Sequence, residues 1–296
     1  MHSLDIPREG LRLLYITDLH LSASRLMRRR DALALSTLAH IVERARPHLT
    51  VLGGDFLSPI FTRSFTGNSH RQAKHLGEFM EGLRLPWCAL PGNHDGQGNA
   101  PLSEVFSHFS RLPFYLDLPL APARGRNSVL SLCHEGRAVH RLFLMDTHTR
   151  RRRAWAWDHV GGDQITWFQK EAEGLPSTVL CHVPPLALSL QNGRKNVTEH
   201  GFVSAMAKAG TRLLLAGHHH GAHAMHNPSP DLLLAYNPTM DHTVSPFAKK
   251  RRHGASLLTF LPDGGVTLCR FLCQDGRFWQ DDPIHLPFLG KITAKI

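Results

Sequence analysis

Several protein classes are excluded by what this 296-residue sequence lacks. Its five cysteines (Cys88, Cys133, Cys181, Cys269 and Cys273) form no CxxC pair and are odd in number, so neither a disulfide framework nor a zinc ribbon is indicated. No apolar run approaches the ~20 residues of a membrane span. The opening MHSLDIPREG puts Asp5, Arg8 and Glu9 where a secretory leader needs its apolar stretch. These absences predict a soluble, cytoplasmic protein with no membrane partner. There is no internal repeat and no Ser/Gly linker, which predicts a single domain over residues 1–296. Acidic residues are scarce as well: 24 against 34 Lys and Arg, a net charge of +10, with 22 histidines counted as neutral. Hydrophobic residues at 42% and charged residues at 20% are globular rather than disordered proportions.

Short apolar runs bounded by polar residues read as buried strands: Leu11–Thr17, Leu49–Leu52, Trp87–Leu90, Leu142–Asp146, Thr178–Cys181, Leu213–Ala216 and Leu232–Tyr236. Helical spacing falls between them at about 30–45, 70–84, 164–173 and 199–209. Such alternation predicts an α/β fold in which helices cover sheet. Near the end, Ser256–Leu261 and Val266–Leu272 flank Pro262-Asp263-Gly264-Gly265, predicting a β-hairpin over 255–273. Four stretches, about 56–69, 96–128, 147–163 and 183–198, carry little regular pattern and read as long functional loops.

Five predicted strands end in chemistry-bearing residues: Asp18-Leu19-His20, Gly54-Asp55, Gly92-Asn93-His94-Asp95, His182 and Gly217-His218-His219-His220. The carboxyl edge of an open α/β sheet is where ligands bind. Imidazole, carboxylate and amide oxygen together suit transition metals. If the chain is extended there, Asp18 and His20 point to one side, as do His218 and His220, with His219 pointing away. Asp55, with two oxygens, has the means to bridge two cations, and a metal pair ~3.5–4 Å apart clamps a phosphoryl group and activates water. Each motif alone is commonplace as a turn, a cap or a core histidine. Their joint order at consecutive strand ends is not.

In that order they resemble the calcineurin-like metallophosphoesterase family, over about residues 11–241. The resemblance implies a four-layer α-β-β-α sandwich with two mixed β-sheets packed face to face, the C-terminal hairpin completing the second sheet. It implies two divalent or trivalent transition-metal ions, of Mn, Fe, Zn or Co. One would be held by Asp18, His20, Asp55 and His220, the other by Asp55, Asn93, His182 and His218. A water or hydroxide between the ions would attack phosphorus, and His94 would protonate the leaving group. Asp95 would orient His94 or a ligand, or serve the turn. The implied enzyme is a phosphatase or phosphodiesterase acting on a small phosphate ester or nucleotide. Ser58 stands where purple acid phosphatases carry a tyrosine ligand, so no iron–tyrosinate colour is expected. The segment Gly161–Phe168 is similar to a G-x-x-x-Q-x-x-W-[LF] stretch of small phosphatases and cyclic-nucleotide phosphodiesterase relatives.

Positive charge clusters at Arg28–Arg30, Arg150–Arg153 and Lys249–Arg252. A basic rim steers phosphate-bearing substrates and would also track a nucleic-acid backbone. A nuclease with the same dinuclear site is therefore the alternative reading, but no nucleic-acid-binding motif favours it. Trp155 and Trp157 are candidates for stacking on a base or for anchoring their loop. A scaffold protein keeping only the fold is the remaining alternative, and the complete ligand set opposes it.

Overall fold

The computed structural model describes residues 2–58, 68–148, 159–172, 174–195, 197, 200–242 and 252–287. The Arg150–Arg153 run, Trp155, Trp157 and Lys249–Arg251 lie outside the described residues.

Two seven-stranded sheets carry the chain. The first is built on β2 (Leu11–Ile16), β3 (Leu49–Gly53) and β4 (Trp87–Leu90), which are parallel. The predicted hairpin, β11 (His253–Phe260) and β12 (Val266–Gln274), was expected to complete the second sheet; it joins this one, which holds the first predicted strand, through antiparallel pairing of β11 with β2. Two short strands, β13 (Arg277–Gln280) and β14 (Ile284–Leu286), add to β12. The second sheet runs β1 (His2–Asp5), β5 (Ser128–His134), β6 (Arg137–Met145), β7 (Ser177–Cys181), β8 (Thr211–Ala216), β10 (Leu232–Tyr236), β9 (Met225–Ser229). Both sheets mix parallel and antiparallel pairs.

Side-chain alternation along the strands assigns the layers. On β2, Leu11, Leu13 and Tyr15 join a central core shared with Leu142 and Leu144 of β6 and Leu213 and Leu215 of β8. Leu14 and Ile16 face the other way, onto α1 (Arg28–Ala45), α2 (Ser69–Gly82) and α3 (Leu102–Phe109). On β6, Phe143 and Met145 turn outward to α4 (Gly162–Ala172) and α6 (Phe202–Lys208). The result is the expected sandwich: helices, sheet, sheet, helices.

The predicted strands and helices are found to within a few residues, while two of the supposed loops contain structure. Helix α3 lies inside 96–128 and α5 (Leu186–Leu190) inside 183–198. Both are too short to show periodicity; α3 is fixed by burying Val105, Phe106 and Phe109 in the first helical layer's core. Strand β1 was not anticipated because only pairing with β5, more than 120 residues away, defines it. The Gly161–Phe168 segment opens α4. Its Gln164 is fully buried: Nε2–H donates to Asn127 Oδ1 (2.7 Å) and to the Asp146 carbonyl (2.8 Å), and Oε1 accepts from Gly161 N–H (2.9 Å). That residue ties the ends of β5 and β6 together.

No helix among the described residues is long and apolar enough to cross a membrane.

Candidate metal centre

The carboxyl ends of β2, β3, β4, β7 and β8 meet at one edge where the sheets face each other. Tyr15 O–H donates to the Cys181 carbonyl (2.8 Å), tying β2 to β7 across the sandwich. There the structure gathers two groups of three donors: Asp18, His20 and His220, and Asp55, His182 and His218, each group's ligand atoms within 4.8 Å of one another. Asp55 Oδ2 faces both groups, 3.0 Å from His182 Nε2 and 3.7 Å from His20 Nε2. His220 Nε2 lies 3.3 Å from Asp18 Oδ1, and His218 Nδ1 faces Asn93 Oδ1 at 2.7 Å. All seven predicted ligands thus converge.

They do so by a backbone path the sequence did not suggest. Asp18, His20, Asp55 and His218 have φ of 59°, 47°, 51° and 70°, the left-handed region that non-glycine residues rarely adopt. The extended alternation expected for Asp18-Leu19-His20 is therefore replaced by two left-handed residues. Hydrogen bonds hold each of these conformations. Asp18 N–H donates to Gly54 O (3.0 Å), His20 N–H to Asp55 O (2.9 Å), Asp55 N–H to Asp95 Oδ2 (2.8 Å) and His218 N–H to the Asp18 carboxylate (3.2 Å). Strain of this kind concentrates at functional sites, where the surroundings over-determine it. Gly92 has a different cause: a Cβ there would collide with the backbone N and Oδ1 of Asp55.

Of the roles expected of Asp95, the hydrogen bonds match the turn role. Its carboxylate is 1% exposed and accepts the backbone N–H groups of Asp55 (2.8 Å), Gly92 (2.7 Å) and Leu57 (2.9 Å). It staples the Asp55 turn to the Gly92 turn and makes no hydrogen bond to the His94 ring. The side chain that orients His94 is Gln97, whose Oε1 accepts from Nδ1–H at 2.9 Å. Gln97 was missed; its only sequence signal is a place three residues after His94.

Asp241, also missed, lies past β10, with its Oδ2 3.0 Å from His220 Nδ1. Arg30, expected in a basic rim, is instead largely buried. It donates to the His20 carbonyl and to Asp31 Oδ1.

The electrostatics fit a cation site. Burial alone would raise the Asp18 pKa, but the hydrogen bond and charge of His220 bring it down to about 2. Burial would lower His182 and His220; Asp55 raises the first to about 9, and Asp18 with Asp241 raise the second to about 10. Burial depresses His20 to about 4. Without cations the carboxylates therefore hold protons on His182 and His220, the nitrogens a metal would take. His182 Nδ1–H donates to Gly53 O (3.0 Å), which aims Nε2 into the cluster, where it is buried and makes no aligned hydrogen bond. A fully buried imidazole nitrogen aimed at two carboxylates fits a metal ligand, and the donor set suits first-row transition ions.

The family model for calcineurin-like phosphoesterases matches residues 11–222. The chain belongs to that family. No curated protein matches the sequence significantly. Among solved structures, a dimetal phosphatase from Danio rerio is 12% identical with a TM-score of 0.63, over 94% of this chain and 99% of that one. The purple acid phosphatase PPD1 from yellow lupin is 11% identical with a TM-score of 0.60, over 95% of this chain and 54% of that one. GAP50, an anchor in the inner membrane complex of Plasmodium, is 10% identical with a TM-score of 0.59, over 96% and 90%. These likenesses are of fold. Family membership makes the chain a phosphoesterase-type protein with two candidate metal-ligating groups.

Proposed function

We propose that this chain is a dinuclear metal-dependent phosphohydrolase cleaving phosphomonoesters or phosphodiesters of small molecules, nucleotides included. The observation that carries this reading is the pair of adjacent three-donor groups, with Asp55 Oδ2 of the second also facing His20 of the first and His94 beside them. Asp18, His20, Asp55 and His220 would hold one ion; Asp55, Asn93, His182 and His218 the other. The donors accept manganese, iron, zinc or cobalt, the choice following availability. When bound, the ions supply Lewis acidity toward the phosphoryl oxygens and a water made nucleophilic near neutral pH.

The chain's own residues supply the rest. Asp55 is fixed on both sides: its Oδ1 accepts the His94 backbone N–H (2.8 Å) and its own N–H is held by Asp95. The first of these bonds also fixes His94 relative to the cluster. The two rings, His94 and His20, sit 5.7 Å apart. Because Gln97 holds Nδ1–H, Nε2 is the position from which His94 gives a proton to the departing oxygen, a role worth ~10²–10⁴-fold. The nuclease alternative gains nothing from Arg30, which is committed to His20 and Asp31.

The test compares a phosphomonoester with its bis-ester analogue in the presence of Mn²⁺, followed by a panel of nucleotides and nucleic acids. His94→Ala should keep its metal and lose ~10²–10⁴-fold in kcat; Asp55→Asn should lose metal and turnover together. An unchanged kcat in His94→Ala sinks the mechanism.

A further inference from the structure

The two donor groups are held in place by different means. In the second, His182 is oriented by a backbone carbonyl, Gly53 O, and His218 faces Asn93. In the first, both histidines are held by a buried charged network that none of the five sequence motifs contains. Asp241 Oδ2 takes the Nδ1 side of His220 at 3.0 Å. Arg30 donates to the backbone carbonyl of His20 and sits 3.9 Å from Asp241 Oδ1. Asp31 receives Arg30 (2.7 Å) and also holds the loop after His20, accepting from Ser22 Oγ–H (2.9 Å) and Ala23 N–H (2.9 Å). The Arg30 and Asp241 side chains are only 10% and 6% exposed, so the pair is weakly screened.

We infer that Asp241, assisted by Arg30, is a positioning residue that sets the affinity of the Asp18–His20–His220 ion alone, making the two metal positions separately tunable. This rests on the proposed dinuclear reading. The physical argument concerns the tautomer and the ring angle. A carboxylate on the Nδ1 side reserves Nε2, turned toward Asp18 and His20, as the nitrogen that gives up its proton to an ion, and it makes that nitrogen a stronger donor. Arg30 performs the matching task for His20 by pinning its left-handed backbone. Neither contact reaches His182, His218 or Asn93. Loss of the network should therefore uncouple one position and spare the other.

The experiment titrates the full chain, stripped of metal, with Zn²⁺ by calorimetry, and loads it with Mn²⁺ for electron paramagnetic resonance. The parent should take two ions per chain and show a spin-coupled Mn²⁺ pair. Asp241→Ala should bind one ion with parental affinity and the other ~10–100-fold more weakly. At limiting Mn²⁺ it should give an isolated-ion spectrum. Asp241→Asn keeps the shape and a neutral acceptor, so its loss should be smaller; it also reads out if the alanine variant fails to fold. Two parental affinities in Asp241→Ala, or equal weakening of both ions in a folded variant, would overturn the inference. A parent that binds no ion would instead refute the dinuclear reading itself.

Discussion

Asp95 offers a decisive test because its two possible roles have opposite signatures. If it orients His94, its replacement lowers kcat at little cost to stability. If it staples the Asp55 and Gly92 turns, stability and metal binding fall together. The structure favours the second. Oδ2 serves the N–H groups of both Asp55 and Gly92, and Oδ1 serves Leu57. In Asp95→Asn the amide oxygen still serves two of them, but its NH₂ meets the third donor head on. The orphaned N–H costs ~1–3 kcal/mol and the lost charge assistance ~0.5–1.5 kcal/mol for each of the two remaining bonds, for a total of about 2–6 kcal/mol. Asp95→Ala orphans all three buried N–H groups, about 3 kcal/mol at the least. Urea unfolding of the metal-free protein, followed by circular dichroism, measures both values, and elemental analysis after Mn²⁺ loading measures the metal. The informative contrast is Gln97→Ala, which removes the partner of His94 Nδ1 and should lower kcat with little change in the urea midpoint. The reasoning is refuted if Asp95→Asn unfolds within about 0.5 kcal/mol of the parent while only kcat drops.

Two further outcomes follow from buried groups. His140 is fully buried and neutral, donating from Nδ1 to Gly264 O (2.9 Å), with Nε2 3.0 Å from Thr178 Oγ1; burial lowers its pKa to about 4. Its folded value lies below the unfolded ~6.5, so its contribution is complete above pH 6.5 and is lost as pH falls toward 4. By pH 4.5 the parent should have lost about 2.5 kcal/mol that His140→Gln does not lose, from urea midpoints at pH 7.5 and 4.5; parallel pH profiles would disprove this. Gly92→Ala drives a methyl group into the Asp55 backbone and carboxylate, so metal content and turnover should fall together by at least ~10²-fold. Full Mn²⁺ occupancy in that variant would show that the turn yields more easily than its packing indicates.

What could be read from the sequence was local. The seven predicted strands were legible because each is a short apolar run, a pattern contained in four to seven residues. The seven ligands were legible because they directly follow those runs, and their chain order matches one family's. Asp241, Arg30 and Gln97 had no such signal. Asp241 reaches His220 across 21 residues of sequence and two strands, β9 and β10, and Arg30 sits in an arginine cluster that reads as surface charge. Only folding decides that Arg30 is buried against Asp31 and Asp241. The role of Asp95 was ambiguous for a related reason: a turn aspartate looks the same whether it faces a ring or three amides. The left-handed φ values of Asp18, His20, Asp55 and His218 are likewise imposed by hydrogen bonds from other strands. The sequence by itself thus determined which atoms are available to bind metal. The tertiary structure decided how those atoms are aimed, because aim depends on contacts between residues that are distant in the chain.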